Sequence, residues 1–419
     1  MVARRREPVE SKIIAPSVVP VDRIVSGLVE EFTQFELEKN FMSQGNGNAP
    51  KFGIRKNVRQ IGRTDVAGGG QVVVENGYAF VGHMDPPHGT TILDVKDPKH
   101  PKAVAEIEIP QGVHSHKVRV SGDIMLVNLE RYRSKEKQPT GLKVYDISNR
   151  EKPKEIAFFQ TNGGVHRFTF DGRYAYISAH IEGYVGRIPM ILDLKDPARP
   201  EEVGRWWMPG QWIGGGETPA WEGTAHQCHH PIRRGDRLYT SYWHGGFVIL
   251  DIADMSRPKY ISGYNWSPTY PSPIHTTLPI PWKLMNRDVM VVSDEEAGKL
   301  APMPYAFMWM VDITDETRPV PISTFNPAEA HGIAPGHQYG AHQPAEQVYD
   351  NKMFVTWFSG GLRVVDISNP YLPTEIGYYV PEPGRGQKTV KSNDIFRADN
   401  GLLYLIDRLD GLEVLESEV

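Results

Sequence analysis

Five histidines recur at related places along the sequence, and imidazole is the side chain that transition metals bind most often in proteins. The first three each stand six residues before a glycine that belongs to a tight-turn signal, and the other two open slightly longer segments of the same kind. A position that repeats in this way predicts one shared environment for all five imidazoles. The five predicted metal ligands, called the ring histidines below, are His116, His166, His229, His275 and His342.

A second set of polar residues follows the ring histidines along the chain. We expect these side chains to orient metal-bound imidazoles or to transfer protons, as carboxylate and histidine partners of metal ligands do. Ordinary polar loop residues are the alternative for each one. The predicted catalytic residues are His83, Glu130, His180 and His244. Two further expectations concern neighbouring positions. His230 replaces His229 if the strand shifts by one residue, and strand alternation directs Arg167 away from the channel, so we do not count it as catalytic.

The elements that position these residues come from an internal repeat. Segments such as "GLKVYDISNREKP", "FVILDIADMSRP" and "GLRVVDISNP" recur with an acidic residue every 47 to 61 positions. Each segment is rich in β-branched residues and ends in a proline turn, which is typical of a strand. A strand, a tight turn and another strand precede each segment, and one more strand follows it. Four antiparallel strands per repeat are the pattern of a propeller blade.

Counting the strands predicts an all-β, seven-bladed β-propeller of four-stranded antiparallel blades. The last repeat lacks its fourth strand, and "VRQIGRTDV" at 58–66 is the strand that closes the ring. The predicted domains are a propeller at 58–419 and an N-terminal extension at 1–57, with one short helix and a linker. Because the ring histidines begin the inner strands of five successive blades, we expect them to meet at the mouth of the central channel.

The repeated segments resemble those of the LVIVD-repeat family of β-propellers over roughly residues 58–416. This resemblance implies the fold but gives little information about function, because repeat folds host unrelated activities. Carotenoid-cleavage oxygenases and selenium-binding methanethiol oxidases are also seven-bladed propellers with histidine-bound metals. The similarity to them is architectural only, since their sequence motifs are not found here.

The composition narrows the class of partner. The net charge is −5 without a basic cluster, which argues against nucleic acid as a partner. The sequence has no run of 18 apolar residues, so it predicts no membrane span. The N-terminus lacks the apolar core of a secretory signal, and the single cysteine, Cys228, excludes internal disulfides. We therefore expect a cytoplasmic protein, with the N-terminal helix as a candidate homo-oligomer contact.

Three functions compete at this stage. The first is an oxygenase-like, metal-dependent oxidoreductase with one transition-metal ion, for which we favour iron over Cu, Mn, Ni or Zn. The second is a lyase or hydrolase that uses the same ion as a Lewis acid, and the third is a non-catalytic binding scaffold. Tryptophans of the fourth and fifth repeats favour an apolar or aromatic small organic substrate. These are Trp206, Trp207, Trp212, Trp221, Trp243 and Trp266.

Overall fold

The computed structural model of the chain describes residues 51–133, 138–296, 306–331, 337–384 and 386–419. The predicted N-terminal helix and most of its linker lie outside the described residues. Within the described ranges every regular element is a β-strand except for one short 3-10 helix at Ile213–Gly215. No helix of the described part is long and apolar enough to cross a membrane.

The strands form seven consecutive blades, each built as an antiparallel meander that starts at the central channel. Blades 1 to 3 contain β3 (Gly69–Glu75), β4 (Tyr78–His83), β5 (His88–Asp94), β6 (Lys102–Glu108); β7 (Val113–His114), β8 (Val118–Ser121), β9 (Ile124–Arg131), β10 (Gly141–Asp146), β11 (Lys154–Gln160); β12 (Gly164–Phe170), β13 (Tyr174–His180), β14 (Arg187–Asp193) and β15 (Glu201–Arg205). Blades 4 and 5 contain β16 (His226–Arg234), β17 (Arg237–Trp243), β18 (Phe247–Asp251), β19 (Lys259–Tyr264); β20 (Ile274–Pro279), β21 (Val289–Asp294), β22 (Met308–Asp312) and β23 (Val320–Phe325). Blades 6 and 7 contain β24 (Lys352–Thr356), β25 (Leu362–Asp366), β26 (Thr374–Val380); β27 (Ser392–Arg397), β28 (Leu402–Asp407) and β29 (Asp410–Ser417).

The ring closes as the sequence predicts. Strand β2 (Val58–Ala67) pairs antiparallel with β29, from Val58 opposite Ser417 to Ala67 opposite Asp410, and so completes blade 7. Strand β1 (Ile54–Lys56) adds a fourth strand to the sheet of blade 6, at the outer edge of β26. Ordered sheet structure therefore begins before the boundary that the sequence analysis placed between residues 57 and 58.

The burial pattern follows from this arrangement. Strand β4, in the middle of its blade, is buried at five of six positions, because neighbouring blades cover both of its faces. Strand β6, at the outer edge, is mostly exposed or half-buried. The third strand of six blades ends in the repeated aspartate, whose Oδ1 accepts the backbone N–H two residues later, as in Asp94 to Lys96 at 3.0 Å and Asp251 to Ala253 at 2.9 Å. The acidic residue of the repeat is thus a turn former.

The first strand of most blades carries a β-bulge, a place where one strand has an extra residue. The register shifts between Val165 and Phe168 in blade 3, with equivalent shifts in blades 1, 4, 5 and 7. A bulge breaks the alternation of side chains, so two successive residues turn to the same side. The expectation that alternation directs Arg167 away from the channel is therefore wrong: Nη1 of Arg167 lies 3.2 Å from Nε2 of His275, two blades further round.

Candidate metal centre

The ring histidines form a continuous arc at the channel. Their neighbouring ring centroids, from His116 to His342, lie 4.9, 4.8, 4.4 and 4.1 Å apart. Four of them are buried, and His166 is half-buried. A sixth imidazole, His114, extends the arc at 4.0 Å from His116. The structure thus brings all five predicted ligands together, and it adds one that the sequence analysis missed.

Three of the ring histidines have their Nδ1 atoms anchored by oxygen atoms that can only accept. Nδ1 of His166 lies 2.6 Å from the Glu130 carboxylate, and Nδ1 of His229 lies 2.8 Å from the carbonyl oxygen of His275. Nδ1 of His342 contacts the carbonyl oxygen of Asn393. Because a carbonyl or carboxylate accepts, each Nδ1 carries the proton. A neutral ring then presents an Nε2 lone pair, the form in which histidine binds a metal.

The Nε2 atoms of His166 and His229 lie 3.0 Å apart. Burial lowers the pKa of His166 to about 3, with Arg187 as the next cause, and burial also holds the pKa of His229 well below its usual range. Both rings are therefore neutral near pH 7, and two lone pairs face each other. Two imidazole ligands on one ion with bonds of about 2.0–2.1 Å are separated by about 2.9–3.4 Å. The observed spacing fits two ligands of one cation.

The other two ring histidines have different partners. Nδ1 of His275 donates to the Thr276 hydroxyl at 2.7 Å, since that hydroxyl gives its own proton to the Gln343 amide oxygen at 3.0 Å. For His116 the polarity is reversed, because Nδ1 lies 3.3 Å from the amide nitrogen of Asn128, which donates. The proton of neutral His116 then resides on Nε2. His116 therefore needs a change of tautomer before its Nε2 binds a metal.

Two buried carboxylates stand beside the arc. Glu130 accepts from His114 at 2.9 Å and from Arg187 at 3.2 Å, in addition to His166. Burial alone raises the pKa of Glu130, but His166 and the hydrogen bonds outweigh it and hold the pKa well below its usual range. Glu130 is therefore an ionised anchor for imidazoles.

Glu295 lies opposite this anchor, with Oε1 3.7 Å from Nε2 of His342. Ligand atoms within 4.8 Å of one another fall into two groups, one with His114, His116, Glu130 and His166, the other with His229, His275 and Glu295. The sequence analysis did not assign Glu295 as a ligand. Its place directly after a second strand was the available signal.

The structure separates the four predicted catalytic residues. His180 is half-buried, with Nε2 3.7 Å from Oε1 of Glu130, so it joins the arc through that carboxylate. His83 uses Nδ1 on the carbonyl of Ala67 at 2.9 Å and Nε2 on the Thr91 hydroxyl at 2.7 Å. Both nitrogens of His83 are occupied, which suits a structural role. His244 lies edge-on to Trp243, with ring centroids 6.1 Å apart.

Two aromatic rings cover the arc from equivalent places in blades 4 and 6. Trp243 stacks on His229 with centroids 4.7 Å apart, and Phe358 lies 4.6 Å from His342. Both residues have left-handed backbone, with φ of 55° and 45°, which is strained for a bulky side chain. Each begins the same tight turn, which closes on a glycine three residues later: Gly246 donates to Trp243 and Gly361 donates to Phe358. The strain places an aromatic face against each imidazole.

The six tryptophans predicted to surround a substrate separate into different environments. Trp221 lines an open cavity of about 440 Å³ and stacks on His226 with centroids 4.5 Å apart. Trp266 is 7% exposed and packs on Trp309 in the hydrophobic core. Trp206, Trp207 and Trp212 pack among tyrosines and each other. Strand β16 connects the cavity to the arc, since it carries His226 in the cavity wall and His229 in the ring.

Comparison with known proteins identifies the repeat. A family model described as LVIVD repeat matches residues 234–265 and 347–380, which contain strands β17–β19 and β24–β26. A search of curated proteins finds no significant match.

Solved structures that resemble the chain are β-propellers. The periplasmic gluconolactonase PpgL of Pseudomonas aeruginosa is 12% identical with a TM-score of 0.54, over 78% of this chain and 91% of that protein. The WD40 β-propeller domain of Doa1 is 8% identical with a TM-score of 0.54, over 86% of this chain and 97% of that domain. Sqt1 of Saccharomyces cerevisiae is 8% identical with a TM-score of 0.52, over 83% of this chain and 82% of that protein. At these identities the similarity concerns the fold alone.

Proposed function

We propose that this chain, a member of the LVIVD-repeat family of β-propellers, is a metal-dependent oxidoreductase of the oxygenase-like kind. One transition-metal ion would be bound by the ring histidines, and iron is the ion we favour, with Cu, Mn, Ni or Zn as alternatives. The imidazole-rich donor set suits these ions better than Mg²⁺ or Ca²⁺, which prefer oxygen ligands. When bound, a redox-active ion would supply the electron-transfer chemistry for oxidation of an organic substrate.

The observation that carries the proposal is the contact between Nε2 of His166 and Nε2 of His229 at 3.0 Å. Two neutral imidazoles with their protons on Nδ1 repel each other at this distance unless a cation lies between them. His229 is buried, so water has little access to its lone pair, whereas His166 is half-buried. A metal ion explains why both rings are anchored through Nδ1 and directed at each other through Nε2.

The surrounding residues have distinct roles in this proposal. Glu130 fixes the tautomer and orientation of His166, and His180 beside it is placed to exchange a proton with solvent. Trp243 excludes water from one face of His229. The cavity beside Trp221 is the proposed binding place for an apolar or aromatic small organic substrate, because its wall includes Pro219 and Val185 as well as the indole.

Elemental analysis tests the metal. Untagged wild-type protein is compared with His166→Ala, and with His88→Ala as a matched control, since the side chain of His88 is 44% exposed and its Nδ1 pairs with Glu106 instead. We expect about one iron per chain in wild type and in His88→Ala, and none in His166→Ala. An equal metal content in all three proteins contradicts the site, and no metal after reconstitution favours a binding scaffold.

A second candidate is a lyase or hydrolase in which the ion is a Lewis acid. The position of His180 favours it, because a half-buried imidazole 3.7 Å from an ionised carboxylate can serve as a general base. The absorption spectrum separates the two candidates. A protein that contains Zn, or contains Mn or Ni without redox-dependent absorption bands, supports the lyase or hydrolase.

A further inference from the structure

A second inward-facing layer lies directly below the ring histidines, one residue further along each first strand. In blades 1, 3, 4, 5 and 7 a bulge turns two successive side chains into the channel. We call it the lower layer, and it consists of Gln71, Lys117, Arg167, His230, Thr276, Gln343 and Asp394. All seven residues are buried. Three of them, Lys117, Arg167 and Asp394, have side chains that are normally charged, and His230 is an imidazole.

The two basic side chains of this layer lack a hydrogen-bonded carboxylate among the described residues. Arg119 pairs with both carboxylate oxygens of Glu346, at 2.6 and 2.8 Å, and these two charges compensate each other. Lys117 and Arg167 both interact with Asp394 and with Glu295, and Glu295 also lies near Arg408. Both oxygens of Asp394 accept backbone N–H groups, from Val72 at 3.2 Å and Ile395 at 3.0 Å. No carboxylate of the described residues accepts a hydrogen bond from Lys117 or Arg167, and a buried charged group without such a partner is costly.

Arg167 has buried donor groups without an acceptor. Its side chain is 1% exposed, and Nη1 lies 3.2 Å from Nε2 of His275. Nε and Nη2 have no hydrogen-bond acceptor among the described residues, and the nearest carboxylate oxygen, on Glu346, is 3.7 Å from Nη2. Nε and Nη2 share the edge of the guanidinium that binds carboxylates through two parallel hydrogen bonds.

Lys117 supplies further donors. Its side chain is buried, and Nζ donates to the carbonyl of Gly70 at 2.8 Å. An ammonium group has three N–H bonds, so two remain for another acceptor. Lys117 and Arg167 belong to the first strands of adjacent blades, and both interact with Asp394 and Glu295.

We propose that Arg167, assisted by Lys117, binds a planar carboxylate-type anion in the channel directly below the ring histidines. Every anion of this class has two oxygens on one carbon, and these match the two donors, Nε and Nη2, on the free edge of the guanidinium. The anion is either the carboxylate group of an organic substrate or a free ion such as formate or bicarbonate. The site does not require the metal, so it can fail or succeed independently of the metal centre.

Calorimetric titration of chelator-treated, full-length protein tests the proposal. Sodium formate, acetate and benzoate are titrated at constant ionic strength, with sodium chloride as the spherical anion. Formate is expected to bind at one site, and Arg167→Met to weaken it about ten- to a hundredfold, since charge-assisted hydrogen bonds are lost. Arg167→Lys keeps the positive charge but removes the two parallel donors of the guanidinium, so we expect a similar loss of formate affinity.

Arg363→Met is the matched control. Arg363 is also fully buried, and its Nε and Nη2 also have no hydrogen-bond acceptor in the described structure, but it belongs to blade 6, where it pairs with Glu375 and stacks on Tyr378. Formate affinity unchanged in Arg363→Met and reduced in Arg167→Met supports the site. Benzoate binding that depends on Arg167 indicates a substrate carboxylate, and binding of formate and acetate alone indicates a free ion.

Three results overturn the proposal. They are the absence of saturable formate binding to folded wild type, displacement of formate by an equal concentration of chloride, and a greater loss in Arg363→Met than in Arg167→Met. If circular dichroism shows that Arg167→Met does not fold, Arg167→Lys and Lys117→Met replace it. Unchanged formate affinity in both of those variants also overturns the proposal.

Discussion

The wall of the channel has two unequal parts. Blades 2 to 6 each contribute an imidazole to the arc, where the Nε2 atoms of His166 and His229 face each other. Blades 7 and 1 contribute Asn393 and Gly70, whose polar atoms are used within the wall: Asn393 Nδ2 and Lys117 Nζ donate to the carbonyl of Gly70, at 2.7 and 2.8 Å. Oδ1 of Asn393 accepts from Arg408 at 2.7 Å.

The difference between the two parts is one of available ligand atoms. We call them the histidine part and the closed part of the wall. A Cβ added to Gly70 would stand 2.6 Å from Cβ of His116, so the closed part has no room for a seventh side chain. The repeat places histidine at this position in five blades, and asparagine and glycine occupy it in the other two. This asymmetry predicts a cation bound toward the histidine part.

The largest expected effect is the loss of the ion from the histidine part. His229→Ala removes one of the two facing lone pairs and the stacking partner of Trp243. We expect metal content to fall from about one ion per chain to none, measured by elemental analysis. Asn393→Ala, in the closed part, is expected to keep the ion, because the contact of Asn393 with His342 uses the backbone carbonyl. Equal loss in both variants would remove the distinction between the two parts.

A smaller effect is expected when an anchor of the histidine part is weakened. Glu130→Gln keeps the shape of the side chain but removes the charge that fixes His166. Loss of such a partner typically lowers metal affinity about ten- to a hundredfold, which competition with a chelator measures. Glu346→Gln is the control, since that carboxylate pairs with Arg119 in the lower channel. An affinity that falls equally in both variants would show a general loss of charge as the cause.

The smallest effect concerns the closed part. Gly70→Ala forces a methyl group against His116, and overpacking of this kind lowers the free energy of unfolding by about 1–3 kcal/mol. Denaturant titration measures this change, and the imidazole NMR signals of His116 should shift. In Gly122→Ala the new methyl group meets no atom within 4 Å, so only the turn is strained. Unshifted His116 signals in Gly70→Ala would show that residues other than His116 move to make room for the methyl group.

The fold was predictable because each blade repeats the same local sequence signals. An aspartate that caps its own turn and a proline that ends pairing recur every 47 to 61 residues, and counting strands located the closing strand at 58–66, observed as Val58–Ala67. Strand β1 was not predicted, since "IRK" is too short to show a period. The family resemblance agrees with the match to the LVIVD repeat.

The site was predictable as a position but not as a network. Register relative to the turn glycine identified His116, His166 and His229. The same count from Gly77 in blade 1 gives Gln71, whereas the structure has Gly70 at the equivalent place. Gly77 is the second residue of its turn, whereas Gly122 is the first. Bulges have no sequence signature here, so the inward direction of Arg167 was missed. The pairing of His114 with Glu130 depends on two strands meeting, which spacing alone does not reveal.

Closure of the ring has a consequence for how the protein is made. Strand β2 leaves the ribosome before any blade is complete, but its partner β29 is the last strand of the propeller to be synthesised. During translation β2 therefore has an unpaired edge while six blades assemble behind it. The final blade can form only after synthesis has passed residue 417, so a ribosome that stalls earlier leaves an open ring with two exposed strand edges.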